Sequence, residues 1–336
     1  MSAVRTQKHW KGTLGVSIAP EPRASVTEAD LERELAMVRS AAAGRPGGVF
    51  GPGSMVWRID REAAVFLAAG RALLLQLAHP WVAAAIAEHS RSLADPIGRF
   101  HRTFGFVFTM VFGTTDEAIA AARRLYRRHA AITGVLGESA GAFPAGSGYR
   151  ANDVAALRWV FATLADSAIV AFELVNPPLS AGERERYYSE FRLFAAFFGI
   201  PQTTLPPSWP AFADYVEQMV GSDTLGVSPA ARTIAAALFA GAGTWLRSPF
   251  WYRALTAGLL PERLRDDFEL PYGPAEQRAA RRALAALRFL YPRLPARLRY
   301  VAPYHEACAR LAGRAQPATL TRLLNRFWIG RNSIAG

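Results

Sequence analysis

Thr114-Thr-Asp-Glu-Ala-Ile-Ala-Ala-Ala-Arg-Arg-Leu-Tyr-Arg-Arg-His129 is the stretch that decides the fold. Thr114 and Glu117 have the spacing of a capping box, and Asp116 adds negative charge to the first turn, so the run predicts one helix. At about 100° per residue, Ala118, Ala122, Leu125 and Ile132 fall within roughly 60° of His129, while Arg123, Arg124, Arg127 and Arg128 fall about 100° or more away. The imidazole is therefore expected on the apolar side and the four guanidinium groups elsewhere. An imidazole in an apolar wall needs a partner. A main-chain carbonyl would make it a satisfied core histidine, and a metal would make it a ligand. The helix alone leaves both open.

The preceding segment, Asp95-Pro-Ile-Gly-Arg99-Phe-His-Arg-Thr103-Phe-Gly-Phe106-Val-Phe-Thr-Met110-Val-Phe-Gly113, reads as a second helix with Asp95 as cap and Pro96 at its first position. Arg99 and Thr103 are four apart and share a face. Phe106 and Met110 continue that face. This is either a core helix whose first turn reaches solvent, or the wall of an apolar pocket with a polar end. His101 lies about 160° from Thr103 and is expected at the surface.

Taken with the runs Gly51-Pro-Gly-Ser-Met-Val-Trp57, Arg61-Glu62, Gly70-Arg-Ala-Leu-Leu-Leu-Gln-Leu-Ala-His79-Pro80, Val111-Phe-Gly113, Gly148-Tyr149, Trp159-Val-Phe-Ala-Thr-Leu164 and Leu294-Pro-Ala-Arg-Leu-Arg299, these segments resemble the latex-clearing-protein and MpaB-type oxygenase family over roughly residues 46 to 312. The resemblance implies an all-α, globin-like core that holds haem b without covalent attachment and uses O2 on a hydrophobic substrate. It implies His129 as proximal iron ligand, and Arg99 and Thr103 as haem-pocket residues, with Phe106 and Met110 in the apolar wall beside Phe104 and Phe108. The rubber-cleaving members carry a distal lysine just before the threonine. This chain has Arg102, which stays protonated and is a poor iron ligand, so a lysine-ligated resting state is not expected. Many relatives carry a histidine where this chain has Phe161. Family members also have a pocket glutamate proposed as a base, for which Glu88 is the nearest match.

Composition agrees with this class. With 336 residues and 51% hydrophobic content the chain can bury a large core, and long alanine- and leucine-rich stretches show helical periodicity. The expected organisation is a tail and one helix over residues 1–45, then one domain over 46–330. The single cysteine, Cys308, excludes internal disulfides, cysteine-rich metal sites and a Cys-x-x-Cys-His haem attachment. Any haem must be held by shape, axial ligation and its propionates. Secretory signal features are lacking, and the longest apolar region, Ala63 to Ala87, is broken by Arg71, Gln76 and His79-Pro80, so no transmembrane segment is expected and the cytoplasm is the default location.

The net charge is +12, and residues 253–331 supply 15 arginines against 6 acidic residues, or +9 of it. The only lysines are Lys8 and Lys11. Two readings compete with the oxygenase. One is a non-enzymatic helical protein that binds an anionic partner through this arginine-rich third, nucleic acid not being the expected one. The other is a haem protein with peroxidase-like or dehydrating chemistry. No hydrolase motif or Rossmann glycine pattern is present.

The spacing predicts further helices over Thr27–Ala43, from Asp60 to His79, from Pro80 to His89, from Asn152 or Asp153 through Trp159, and over Ser180–Phe198. Ala211–Val220, Pro229–Leu246, Pro274–Leu290 and Pro303–Gly313 complete the set. Gly134–Gly148 reads as a glycine-rich connection at a pocket edge. His79 precedes a proline at a helix break. It is a candidate pocket residue, on the distal side or against a propionate, or a helix-end cap.

Overall fold

The computed structural model describes residues 24–89, 95–240, 248–314 and 316–334. Among these residues the architecture is all-α apart from one small hairpin. In chain order the helices are α1 (Glu28–Ala41), α2 (Met55–Asp60), α3 (Ala69–Leu77), α4 (Pro80–His89), α5 (Pro96–Phe112) and α6 (Thr115–Ala130). The antiparallel hairpin β1 (Thr133–Val135) and β2 (Gly148–Arg150) follows, then α7 (Val154–Val175), α8 (Ala181–Ala196), α9 (Trp209–Gly221) and α10 (Pro229–Ala240). The C-terminal part holds α11 (Phe250–Leu259), α12 (Glu262–Asp267), α13 (Pro274–Leu290), α14 (Ala296–Arg299), α15 (Ala302–Leu311) and α16 (Thr319–Ile329).

Capping chemistry sets most of the starts. Thr27 with Asp30, Thr114 with Glu117 and Ser180 with Glu183 form reciprocal capping boxes at α1, α6 and α8. Asp95 accepts from the Gly98 amide at α5, and Asp153 from the Ala156 amide at α7. The helix expected from Asp60 to His79 does not start at Asp60. Ser54 starts a short helix earlier by accepting from the Trp57 amide, and Asp60 ends that helix, buried. A tight 3-10 segment, Ala63–Ala68, then leads into α3. The chain bends by 100° between this apolar run and α4, where Pro80 cannot continue the ladder. Residues 241–246, the expected end of the Pro229 helix, lie outside the described residues.

α7 is the central strut. At 22 residues it is about 33 Å long. It packs against the 3-10 segment, α2, α3, α8 and α13. It is long and apolar enough to cross a membrane, yet most of it is enclosed by the bundle. Buried indoles tie the layers together: Trp159 donates to the Leu75 carbonyl at 2.8 Å and Trp57 to the Val111 carbonyl at 2.9 Å. α11, α12, α14 and α16 were not expected from the sequence. α11 and α13 form a closely packed pair, and α16 lies across α5 and α15.

Several C-terminal arginines brace the fold by bonding to buried groups and main-chain carbonyls. Arg299 grips the buried Glu62 carboxylate at 2.9 and 3.0 Å, beside the Tyr291 hydroxyl, which donates to Glu62 at 2.9 Å. Arg288 donates to the Leu174 carbonyl, Arg310 to that of Phe112, and Arg263 to those of Val220, Ser222 and Leu225. Their charge was spent on satisfying helix ends and loops.

Candidate active site

α4, α5, α6, β2 and the N-terminal half of α7 enclose an apolar cavity open to solvent on one side. Its empty space, mouth included, is about 1320 Å³. α5 supplies Arg99, Arg102, Thr103, Phe106, Val107 and Met110. α6 supplies Leu125, Arg128 and His129, and Ile132 follows. α7 contributes Leu157, Val160 and Leu164 at helical spacing, and α4 contributes Val82, Ile86 and His89 in the same manner. With the exception of Phe198, every lining residue falls between Gln76 and Leu164.

The sequence therefore brings Arg99, Thr103, Phe106, Met110 and His129 into one cavity, from two consecutive helices that pack side by side. Two expected wall residues go elsewhere. Phe104 and Phe108 occupy the other face of α5 and pack on Phe66, with ring centroids 4.6 and 6.2 Å away. His101 is not simply at the surface. Its Nε2 lies 3.0 Å from the Phe327 carbonyl oxygen of α16, an element the sequence did not reveal.

Charge inside the cavity is one-sided. Arg99, Arg102, Arg128 and Arg150 all reach the lining, and among the described residues no carboxylate does. Arg128 was expected to point away from His129. Its Cα does lie about 100° around the helix, but the long side chain reaches back to the rim. Arg102 pairs with Asp95 at 3.0 Å at the mouth. Burial, and then the neighbouring Arg128 and Arg102 charges, pull the Arg99 guanidinium down to about 10, which leaves it cationic at neutral pH. Burial, reinforced by Arg128, pushes His129 down to about 4. Its imidazole is therefore neutral at pH 7, with a nitrogen lone pair free for donation to a metal or a hydrogen bond.

The remaining predicted residues stand outside the wall. His79 is 2% exposed and sits behind it, its ring centroid 5.4 Å from Phe143 and 6.0 Å from Trp81. Its Nδ1 has no hydrogen-bond partner, and burial lowers its pKa to about 4. Glu88 is exposed and accepts a hydrogen bond from the Tyr149 hydroxyl at 2.7 Å. Its neighbour His89 lines the cavity instead, with Nε2 3.2 Å from the Thr133 carbonyl oxygen. Sequence reading did not single out His89, Arg128 or Arg150. The first could have been found from its position three residues after Ile86 and seven after Val82 on one face of α4.

The glycine-rich connection is an ordered hairpin. Its flanks, Ile132, Arg150 and Ala151, edge the cavity. A side chain at Gly134 would run into the Tyr149 ring, which fixes glycine at that crossing. Cys308 and His305 on α15 do not touch the cavity. Cys308 is half-buried, and His305 Nε2 meets the Ala296 carbonyl oxygen at 3.1 Å.

Among the described residues no group of three or more His, Cys, Asp or Glu side chains is placed to hold a metal ion. A protein-only iron site built on two histidines and a carboxylate is thus absent from them. The neutral His129 imidazole, an apolar wall and a cationic end without a carboxylate among the described residues fit a haem, which needs a nitrogen donor for its iron, hydrophobic faces and partners for two propionates.

Residues 56–289 match the family model described as ER-bound oxygenase mpaB/B'/Rubber oxygenase, catalytic domain. No curated protein and no solved structure compared with the chain matches it.

Proposed function

The chain belongs to the mpaB and rubber oxygenase catalytic-domain family, and from that premise we propose that it is a haem b-dependent oxygenase acting on a hydrophobic small molecule. The observation that carries this reading is His129, a neutral imidazole in an otherwise apolar wall with arginines at one end and no competing carboxylate.

In this reading the His129 imidazole would hold the haem iron. Arg99, with Arg128 and Arg150, would hold the propionates by charge-assisted hydrogen bonds. Phe106, Met110, Leu157 and Val160 would cover the macrocycle and the substrate and keep water out. The haem supplies the iron at which dioxygen is activated, and the protein supplies binding, orientation and electrostatics. Thr103 offers a hydroxyl on the cavity side of α5. His89, rather than Glu88, is the titratable group in position to hold or pass a proton at the cavity, through the ring nitrogen not engaged with Thr133. The apolar wall also restricts the substrate to a lipophilic molecule in the inner part of the cavity.

The test is haem content. The purified protein, supplemented with haemin, is expected to show a Soret band and one haem b per chain by pyridine haemochrome. His129→Ala is expected to lose most of that haem while keeping its helical circular dichroism. A fully loaded, spectrally unchanged variant, or a parent protein that never takes up haem, overturns the reading.

A further inference from the structure

One surface lies far from the cavity and is used by nothing described so far. α13 ends at Leu290, turns through a 3-10 segment at Tyr291–Arg293 and enters α14. At this corner Phe289, Leu290, Leu294 and Leu298 are 60%, 55%, 39% and 59% exposed. Arg282, Ala286 and Phe289 follow each other along one exposed face of α13, with Arg281 beside them. Between Glu276 and Glu306 the chain contains no acidic residue. Among the described residues Arg281, Arg282 and Arg297 have no carboxylate partner, in contrast to Arg299, which pairs with Glu62. The Arg293 guanidinium lies 3.9 Å over the Phe289 ring, and Pro292 and Pro295 stiffen the turn. The apolar side chains are therefore presented by a rigid corner.

We propose that this corner docks on an anionic lipid surface, with Phe289, Leu290, Leu294 and Leu298 entering the headgroup boundary and Arg281, Arg282 and Arg297 contacting lipid phosphates and carboxylates. Exposed bulky apolar residues interleaved with unpaired cations are the composition of an interfacial anchor. A nucleic acid fits less well. Three of the four exposed residues are leucines, which give bases no stacking face, while Tyr291 is buried and Tyr300 is half-buried. A second copy fits less well too, because self-pairing would bring like charges together. The corner sits against the C-terminal end of α7, where Arg288 meets Leu174. The cavity reaches along α7 only to Leu164, ten residues and about 15 Å earlier. Docking and haem binding are thus separable.

The full-length protein would be co-sedimented with vesicles of phosphatidylserine and phosphatidylcholine, and with vesicles of phosphatidylcholine alone. Binding is expected only to the anionic vesicles and weakened by salt. At about fivefold per basic residue, Arg281→Gln/Arg282→Gln/Arg297→Gln is expected to weaken partitioning roughly a hundredfold. Phe289→Ser/Leu298→Ser should also release the protein, with circular dichroism and haem content unchanged in both. Equal binding to both vesicle types, or anionic binding that survives both sets of substitutions, overturns the proposal. So does arginine-dependent binding to duplex DNA without vesicle binding, or a corner-dependent dimer in sedimentation equilibrium. Should a variant fail to fold, the parent protein's charge selectivity between the two vesicle types and its loss in salt decide the matter in the same way. Loss of haem binding by His129→Ala with vesicle binding intact would leave this inference standing apart from the oxygenase reading.

Discussion

Tyr149 donates its hydroxyl proton to Glu88 Oε2 at 2.7 Å, joining β2 to the last turn of α4 across the edge of the cavity. The ring of Tyr149 is buried at 2% exposure while Glu88 faces solvent. Burial, and then the Glu88 carboxylate, push the Tyr149 hydroxyl well above its ordinary value, so it remains a donor at any physiological pH. Glu88 is in this way a positioning residue for the hairpin that carries Arg150.

Tyr149→Phe keeps the ring and removes only the bond. The expected cost is about 0.5–1.5 kcal/mol in urea unfolding, with faster amide exchange across residues 133–150. Glu88→Gln should behave alike and change turnover only a few-fold. Abolished turnover in a stable Glu88→Gln protein would instead make Glu88 a catalytic base.

Arg99→Met replaces the half-buried guanidinium of the cavity by an apolar chain of similar length. Loss of one charge-assisted bond to a propionate is expected to weaken haemin binding about 10- to 100-fold, with the Soret position unchanged because His129 is untouched. Titration of haem-free protein measures this, and an unaltered dissociation constant would remove Arg99 from the propionate site.

Asp60 carries a pH dependence of its own. Its Oδ2 is buried without a partner, and burial lifts the carboxyl from the usual 3.8 to about 7. Folding therefore takes up a proton between these values. The contribution is complete below about pH 4, declines as pH rises, and is lost above about pH 7. Asp60→Asn is expected to be nearly neutral at pH 4 and stabilising by up to about 4 kcal/mol at pH 8, read as the difference in unfolding free energy from the parent. A difference that does not vary with pH would sink the assignment.

Glu62 is 1% exposed and takes its hydrogen-bonded countercharge from Arg299, with Arg61 Nε farther off at 4.0 Å. Arg299→Ala strands that carboxylate and is expected to cost about 3–5 kcal/mol by denaturant unfolding. Adding Glu62→Gln to it should recover part of the loss. A double variant that is less stable than Arg299→Ala by the full cost of Glu62→Gln alone would show the pair to be uncoupled.

The α5 and α6 faces were legible because their signals are local. Caps mark the starts, and 3.6-residue periodicity assigns Arg99, Thr103, Phe106, Met110 and His129 to the cavity side. Phe104 and Phe108 were misassigned because a helix rich in phenylalanine on both faces gives no contrast between wall and core. Arg128 was missed because angular position describes Cα, and a guanidinium spans several ångströms beyond it. Asp60 was misread because its residue type suits a cap as well as a helix end, and only the competing cap at Ser54 decides between them. α16, and with it the environment of His101, depends on packing between segments more than 200 residues apart, which a local pattern does not encode. The same holds for Arg299, whose partner lies at Glu62, and so the C-terminal charge looked freer than it is.

The confinement of the cavity lining to Gln76–Leu164, with Phe198 as the outlier, makes the binding site a cassette. A contiguous interval of chain carries nearly all the specificity, and the C-terminal half braces it from outside. Transplanting that interval between relatives should move ligand preference along with it, and insertions in the C-terminal half leave the recipient's chemistry intact as long as Phe198 and the struts onto α7 are kept. Selection can thus retune what enters the cavity and what the outer surface meets as two independent traits.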